Sequence, residues 1–192
     1  MKCICIDCEF NQPSGRTIEF AAICFDPKNG KVFDTFHSYV GPGEPINTEI
    51  TALTGIDDEK VKCALGIIDA ALQLSEWKKE LQINAVGIVW GGGRGNDILH
   101  IYDEAKIENP FTSRVIDAKG VYQMLSNTQQ ADMRQKVGLK TALDNLGIGW
   151  DDKYGPPHRA LADAFNTYRI YMFMSSCLSG GFNIIKSYRF YV

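Results

Sequence analysis

A chain of 192 residues suits one domain with a sizeable core. Its apolar and charged fractions, 45% and 22%, are those of a soluble globular protein, and a net charge of −3 argues against a broad basic surface for long duplex DNA. Apolar runs such as Ala85 to Trp90 are far too short to span a bilayer. Met1-Lys2 leads straight into a strand pattern rather than a signal peptide, so an intracellular, cytoplasmic protein without membrane contact is expected.

Lys2 to Asp7 (K-C-I-C-I-D) reads as a buried strand. Thr17 to Phe25 is a second strand and Lys31 to Val40 a third. Asp26-Pro27-Lys28-Asn29-Gly30 between them has turn composition, so these two form a hairpin. Gly41-Pro42-Gly43-Glu44-Pro45 ends the third strand. Ile67 to Leu81 carries apolar residues at helical spacing. Ala85 to Trp90 is a fourth strand, Arg94 to Lys106 a loop entering a helix, and Arg114 to Asp117 a short fifth strand. Lys119 to Leu125 and Leu139 to Leu146 read as helices, the second stopped by Gly147. Arg159 to Ser175 is the last helix. The tail alternates at Tyr188, Phe190 and Val192 and reads as an extra edge strand. The order predicts an α/β protein with a central mixed five-stranded sheet flanked by helices, of ribonuclease-H-like arrangement. One domain over 1–178 and a tail over 179–192 are expected.

Asp7 and Glu9 lie two apart on a strand and therefore share a face. Two acids this close repel unless something positive lies between them, and a hard divalent cation is the natural answer. Taken alone they also fit solvated acids at a strand end. In Pro157-His158-Arg159-Ala160-Leu161-Ala162-Asp163, two prolines (Pro156 and Pro157) precede a helix former run, so His158 stands at the helix entry and Asp163 in its early turns. His158 alone fits a helix-entry residue equally well. Asp97 follows the stretch Gly91-Gly92-Gly93-Arg94-Gly95-Asn96. A phosphate-cradling loop fails there, because no Lys-Ser/Thr pair follows, and a dinucleotide fingerprint is not matched. Asp97 alone fits an ordinary helix N-cap. Asp103 and Glu104 are expected on the solvated face of that helix, with Ile98, Leu99 and Tyr102 as its buried stripe. The cysteines sit at 3, 5, 8, 24, 63 and 177. Cys3, Cys5 and Cys8 invite a zinc reading, but no second Cys or His pair follows, and small buried hydrophobes are the alternative.

Together these residues resemble the DEDDh, or DnaQ-like, exonucleases. Asp7 and Glu9 in D-C-E-F match the family's first motif, D-x-E. His158 and Asp163 match its third, H-x-x-x-x-D, and Asp97 its second. The spacing from Gly91 to Asp97 is similar to the oligoribonuclease version of the second motif. Phe36 to Pro42 and Leu53-Thr54-Gly55-Ile56 look like the Eri-type RNA exonucleases, although the glycine-rich stretch is longer than theirs. Gly138-Leu139-Lys140 and Leu146-Gly147-Ile148 are similar to the family's helix before the third motif. The likeness covers roughly residues 3–172.

The resemblance implies a 3′→5′ exonuclease that hydrolyses single-stranded nucleic acid to 5′-mononucleotides, with RNA favoured. It implies two divalent cations, Mg²⁺ or Mn²⁺, held by Asp7, Glu9, Asp97 and Asp163, and His158 as general base. Phe10, Leu53 and Thr54 are expected against the terminal nucleotide. The expected partners are 3′ ends of single-stranded RNA or DNA, and a homodimer is one arrangement open to such a domain. A DNA-directed proofreading or repair enzyme and an inactive nucleic-acid-binding module are the rival readings.

Overall fold

The computed structural model describes residues 2–83, 86–91, 97–111, 115–126 and 137–179. Strand β1 (Cys3–Phe10) pairs antiparallel with β2 (Thr17–Phe25), and β2 pairs antiparallel with β3 (Val32–Tyr39). On its other side β1 pairs parallel with β4 (Gly87–Val89), which pairs parallel with β5 (Val115–Asp117). The order across the mixed sheet is β3-β2-β1-β4-β5. The expected ribonuclease-H-like architecture is thus present. β1 runs through Phe10, past the predicted end at Asp7, so Asp7 and Glu9 are ladder residues and not a frayed end.

The alternation of β1 sends its side chains to two different cores. Ile4, Ile6 and Cys8 face one layer, where α3 (Ile67–Glu80) and α4 (Asp97–Ala105) pack with Ala70, Leu74, Trp77, Ile98, Ile101 and Tyr102. Cys3 and Cys5 face the other. There α5 (Ala118–Ser126), α6 (Leu139–Asn145) and α7 (Ala160–Ser179) supply Tyr122, Leu143, Phe165 and Ile170. Cys8 therefore points away from Cys3 and Cys5, and these three cannot converge on one zinc ion. They are buried free thiols used as small hydrophobes.

Two short helices, α1 (Thr48–Thr54) and α2 (Asp58–Val61), were not expected from apolar spacing. Their signals are caps rather than periodicity. The Asn47 side chain accepts from Glu49 N, and Gly55 closes α1 in the left-handed conformation at φ 69°. A small satellite core of Ile18, Ile46, Ile56 and Val61 holds them. Helix α7 extends to Ser179, beyond the expected end at Ser175. The predicted tail strand, and the glycine-rich stretch over 92–96, lie outside the described residues.

Asn11 joins the end of β1 to this satellite unit. Its buried side chain donates to Glu44 Oε1 at 2.7 Å and to Pro45 O at 3.0 Å, and accepts from Asn47 N at 2.9 Å. Truncation would remove all three hydrogen bonds. We expect Asn11→Ala to lose about 1–3 kcal/mol of stability, at about 0.5–1.5 kcal/mol for each bond lost where its partners can turn to water. Urea unfolding checks this, and a loss under about 0.5 kcal/mol would show that the joint carries little.

Candidate active site

The parallel register Ile4↔Gly87, Cys5↔Ile88 places the last residue of β4 beside Ile6. β4 therefore leaves the sheet one position before Asp7. Asp117 secures this exit: its Oδ1 accepts from Gly91 N at 3.0 Å, and from Lys119 N and Gly120 N at the start of α5. Beyond that point β1 has no parallel neighbour among the described residues. Groups from both helical layers can reach it there.

Asp7 and Glu9 project from β1 on the α7 side of the sheet, both half-buried. Asp163 comes from the first turn of α7 and His158 from the segment before it. One ligand atom each of Glu9, His158 and Asp163 lie within 4.8 Å of one another. Asp97 arrives from the opposite layer, as the first residue of α4, and its carbonyl faces the Cys8 thiol at 3.9 Å. The charges acting on Asp7 are those of Asp163, Asp97, Glu9 and Glu19. The Asp7, Glu9, Asp97 and Asp163 carboxylates thus lie near enough for their charges to act on Asp7 and Glu9.

These carboxyls hold their protons unusually tightly. Burial, and then repulsion from its acidic neighbours, raises Asp7 well above the carboxylate range. The same causes push Glu9 up to about 8, with Asp163 the strongest neighbour, and Arg159 only partly offsets them. Asp97 is pushed up to about 7 by burial. Asp163 is likewise pushed up to about 7 by burial, against an opposing hydrogen bond from His158 N at 3.1 Å. The four carboxylates offer oxygen donors, and Arg159 offsets their charge only in part. Such a set suits hard divalent cations, so the residues present fit them.

A fifth acid was missed by motif reading. Glu19 lies opposite Glu9 on β2 and is fully buried. Burial alone would raise it, but hydrogen bonds from His37, Arg159 and the backbone of Ala160 outweigh this and pull it down to about 2. The signal was available: a lone glutamate in the otherwise apolar run T-I-E-F-A-A-I-C-F needs a buried partner. Glu104 also departs from expectation. It is not merely solvated, because its Oε2 accepts from Thr17 N at 3.0 Å and Thr17 Oγ1 at 2.6 Å. Asp103 is exposed, as expected.

The residues expected against substrate differ among themselves. Leu53 is 53% exposed on α1, free to meet a ligand. Phe10 is half-buried, with its ring edge-on to His100 at 4.6 Å between centroids. Thr54 is buried, and its hydroxyl is committed to Ile50 O at 2.8 Å and Ile56 N at 3.0 Å. Thr54 thus has little side-chain capacity left for a substrate.

A ribonuclease-H-like sheet with this acid cluster on β1, α4 and α7 defines the DEDDh, DnaQ-like 3′→5′ exonucleases. The sequence profile of the RNase_T exonuclease family matches residues 4–171, and the chain belongs to that family. The chain is 30% identical over 152 residues to a PolC-type DNA polymerase III of Caldanaerobacter subterraneus, covering 77% of this chain and 10% of that protein. It is 27% identical over 176 residues to ERI1 exoribonuclease 2 of Xenopus laevis, covering 80% of this chain and 24% of that one. It spans at most a quarter of either relative. The fold superposes on the nuclease domain of 3′hExo, a DEDDh family member bound to rAMP, with a TM-score of 0.75 at 22% identity, covering 94% of this chain and 92% of that chain. No helix among the described residues is long and apolar enough to cross a membrane.

The raised carboxyls make stability without metal pH-dependent. A carboxyl whose folded pKa exceeds its unfolded value stays protonated in the folded state after the unfolded chain has ionised. Stability therefore drains as pH rises from the unfolded value, about 4, to the folded values of about 7 and about 8. Glu19 has the opposite sign, but its loss comes below that window, as pH falls towards about 2. In excess EDTA the melting temperature should fall between about pH 5 and about pH 8, and saturating Mg²⁺ should abolish the fall. A melting temperature that rises across that interval in EDTA contradicts this electrostatic picture.

Proposed function

We propose that this domain removes nucleotides one at a time from the 3′ end of single-stranded nucleic acid, RNA ahead of DNA, in a reaction that needs two divalent cations. The observation that carries the reading is the cluster of Glu9, Asp163 and the exposed His158, whose ligand atoms lie within 4.8 Å of one another, with Asp7 and Asp97 beside it. Asp7, Glu9 and Asp163 hold the ions and Asp97 completes the set. Divalent cations there supply the positive charge that an attacked phosphodiester and its departing 3′ oxygen require.

The residues of the chain do the rest. An imidazole nitrogen of His158 takes the proton from the attacking water, and imidazole is well suited to proton transfer near neutral pH. The water oxygen bonds to phosphorus, the bond from phosphorus to the 3′ oxygen breaks, and that oxygen leaves to take a proton from solvent. The products are a 5′-mononucleotide and a chain one residue shorter with a new 3′ hydroxyl. Leu53 and Phe10 abut the terminal nucleotide. The enzyme works in the cytoplasm, as a monomer or a homodimer.

A second reading, a proofreading-type DNA exonuclease, is favoured by one observation: one of the relatives described above is named a DNA polymerase. The exoribonuclease relative and the Leu53-Thr54-Gly55-Ile56 motif support RNA. One digestion decides between them: 5′-labelled RNA and DNA of one sequence, with Mg²⁺. A ladder of shortened products that forms faster on RNA is expected. Faster shortening of DNA selects the second reading. Loss of the label in one internal cut, or activity in excess EDTA, defeats both.

His158→Ala should lower turnover about 10²–10⁴-fold, the usual share of a general base, while calorimetry still finds metal binding. Asp7→Ala should abolish both. Asp97→Ala should cost at least about 10²-fold. Asp103→Ala should be near neutral, because six further residues carry it about 9 Å down the helix. Reversal of the Asp97 and Asp103 outcomes would mean that the second motif is misassigned.

A further inference from the structure

Glu19 is a buried charge with every lone pair engaged. Its Oε1 accepts from His37 Nε2 at 2.7 Å and Arg159 Nη2 at 2.7 Å. Its Oε2 accepts from Arg159 Nε at 3.2 Å and Ala160 N at 2.9 Å. A carboxylate offers about four acceptor sites, so none remains for a metal ion or a substrate. Yet Glu19 stands directly across the ladder from Glu9. It is an acid beside the site that cannot take part in the chemistry directly.

What it holds is the root of α7. Arg159 is gripped by both oxygens of Glu19, hydrogen-bonds the Tyr39 hydroxyl, and lies over the Tyr39 ring at 5.5 Å. Ala160 is the first residue of the helix. The residue before this pair, His158, has a φ of 65°. A non-glycine side chain keeps that left-handed conformation only where its surroundings hold it. Asp163 Oδ2 holds His158 through its backbone N–H, and Glu19 holds the next two residues.

We propose that Glu19 and Arg159 form a positioning clamp that fixes His158 against the carboxylates of Glu9 and Asp163, so that the chemical step depends on the clamp. The inference rests on the exonuclease reading above. A clamp differs from mere structural support in what it changes. Loosening it misplaces the base relative to the reacting water and lowers turnover, while ions and substrate still bind through groups it does not touch.

The test compares the full chain with Glu19→Gln and with a Glu19→Gln/Arg159→Gln double variant, on a 5′-labelled oligonucleotide across a Mg²⁺ series. Arg159→Gln alone would leave the buried Glu19 charge with only His37 and the Ala160 amide against it, so the double variant removes both charges together. Glu19→Gln should lower kcat about 10- to 10²-fold, the scale of a small misplacement of a catalytic group. KM and the Mg²⁺ midpoint should stay within about threefold, and the double variant should be no worse than about threefold below the single, because the two residues act as one unit. Amide exchange at His158 and Ala160 should quicken in both variants. Turnover within about threefold of wild type in Glu19→Gln overturns the clamp. So does a Mg²⁺ midpoint that shifts in step with kcat, since Glu19 would then act on the ions. If the wild type itself releases no nucleotides, the exonuclease reading has failed, and amide exchange then decides the clamp: quickened exchange supports it and unchanged exchange overturns it.

Discussion

Like charges gathered away from water repel, and this fold brings Asp7, Glu9, Asp97 and Asp163 near one another with Arg159 only partly offsetting the charge on Glu9. Burial raises all four carboxyls, and repulsion from acidic neighbours adds to it at Asp7, Glu9 and Asp163. The contrast with Glu19, one strand over, sharpens the point. Glu19 is more deeply buried, yet it ionises readily because Arg159, His37 and a helix-start amide surround it. The protein can neutralise an acid in this region, and it does so for the one acid that holds structure. The others stay raised even though His158 N bonds Asp163 and Arg159 offsets part of the charge on Glu9, a costly arrangement that a bound divalent ion would relieve.

The fold makes this arrangement by ending one strand early. Because β4 stops at Val89, no described residue pairs with that edge of β1 from Asp7 onwards. Asp97 then approaches from the α4 layer and Asp163 from the α7 layer, two cores that elsewhere never meet through the sheet. A register irregularity between Glu9 and Phe10 turns the chain just past the acids. Asn11 then ties that turn to the loop before α1, the helix that carries Leu53. The exposed Leu53 helix and the acids are thus built on the same few residues at the end of one strand.

Much of this was legible in the sequence, for identifiable reasons. The strands declare themselves through runs such as C-I-C-I and T-I-E-F-A-A-I-C-F, and α3 through its apolar spacing. Asp7 and Glu9 follow from the two-residue period of a strand. His158, Asp163 and Asp97 became readable only through family motifs, because no local rule says that positions 7, 97 and 163 meet. Helices α1 and α2 were missed because they are too short for periodicity to show, and their caps went unread. Glu104 was taken for a surface acid because its partner, Thr17, lies 87 positions away in sequence. Glu19 was passed over for the same reason: its partner Arg159 is 140 positions distant, and only the folded chain shows the pairing.

The central claim is that this acid cluster exists to take up divalent cations. Calorimetric titration of Mn²⁺ into the metal-free chain at pH 7, repeated in two buffers of different ionisation enthalpy, tests it most directly. Carboxyls held at about 7 and about 8 must give up protons when the ions enter, so binding should release on the order of one proton or more. Asp7→Asn should remove both the binding and the release. Binding with no proton release, or no binding at all, would contradict the account.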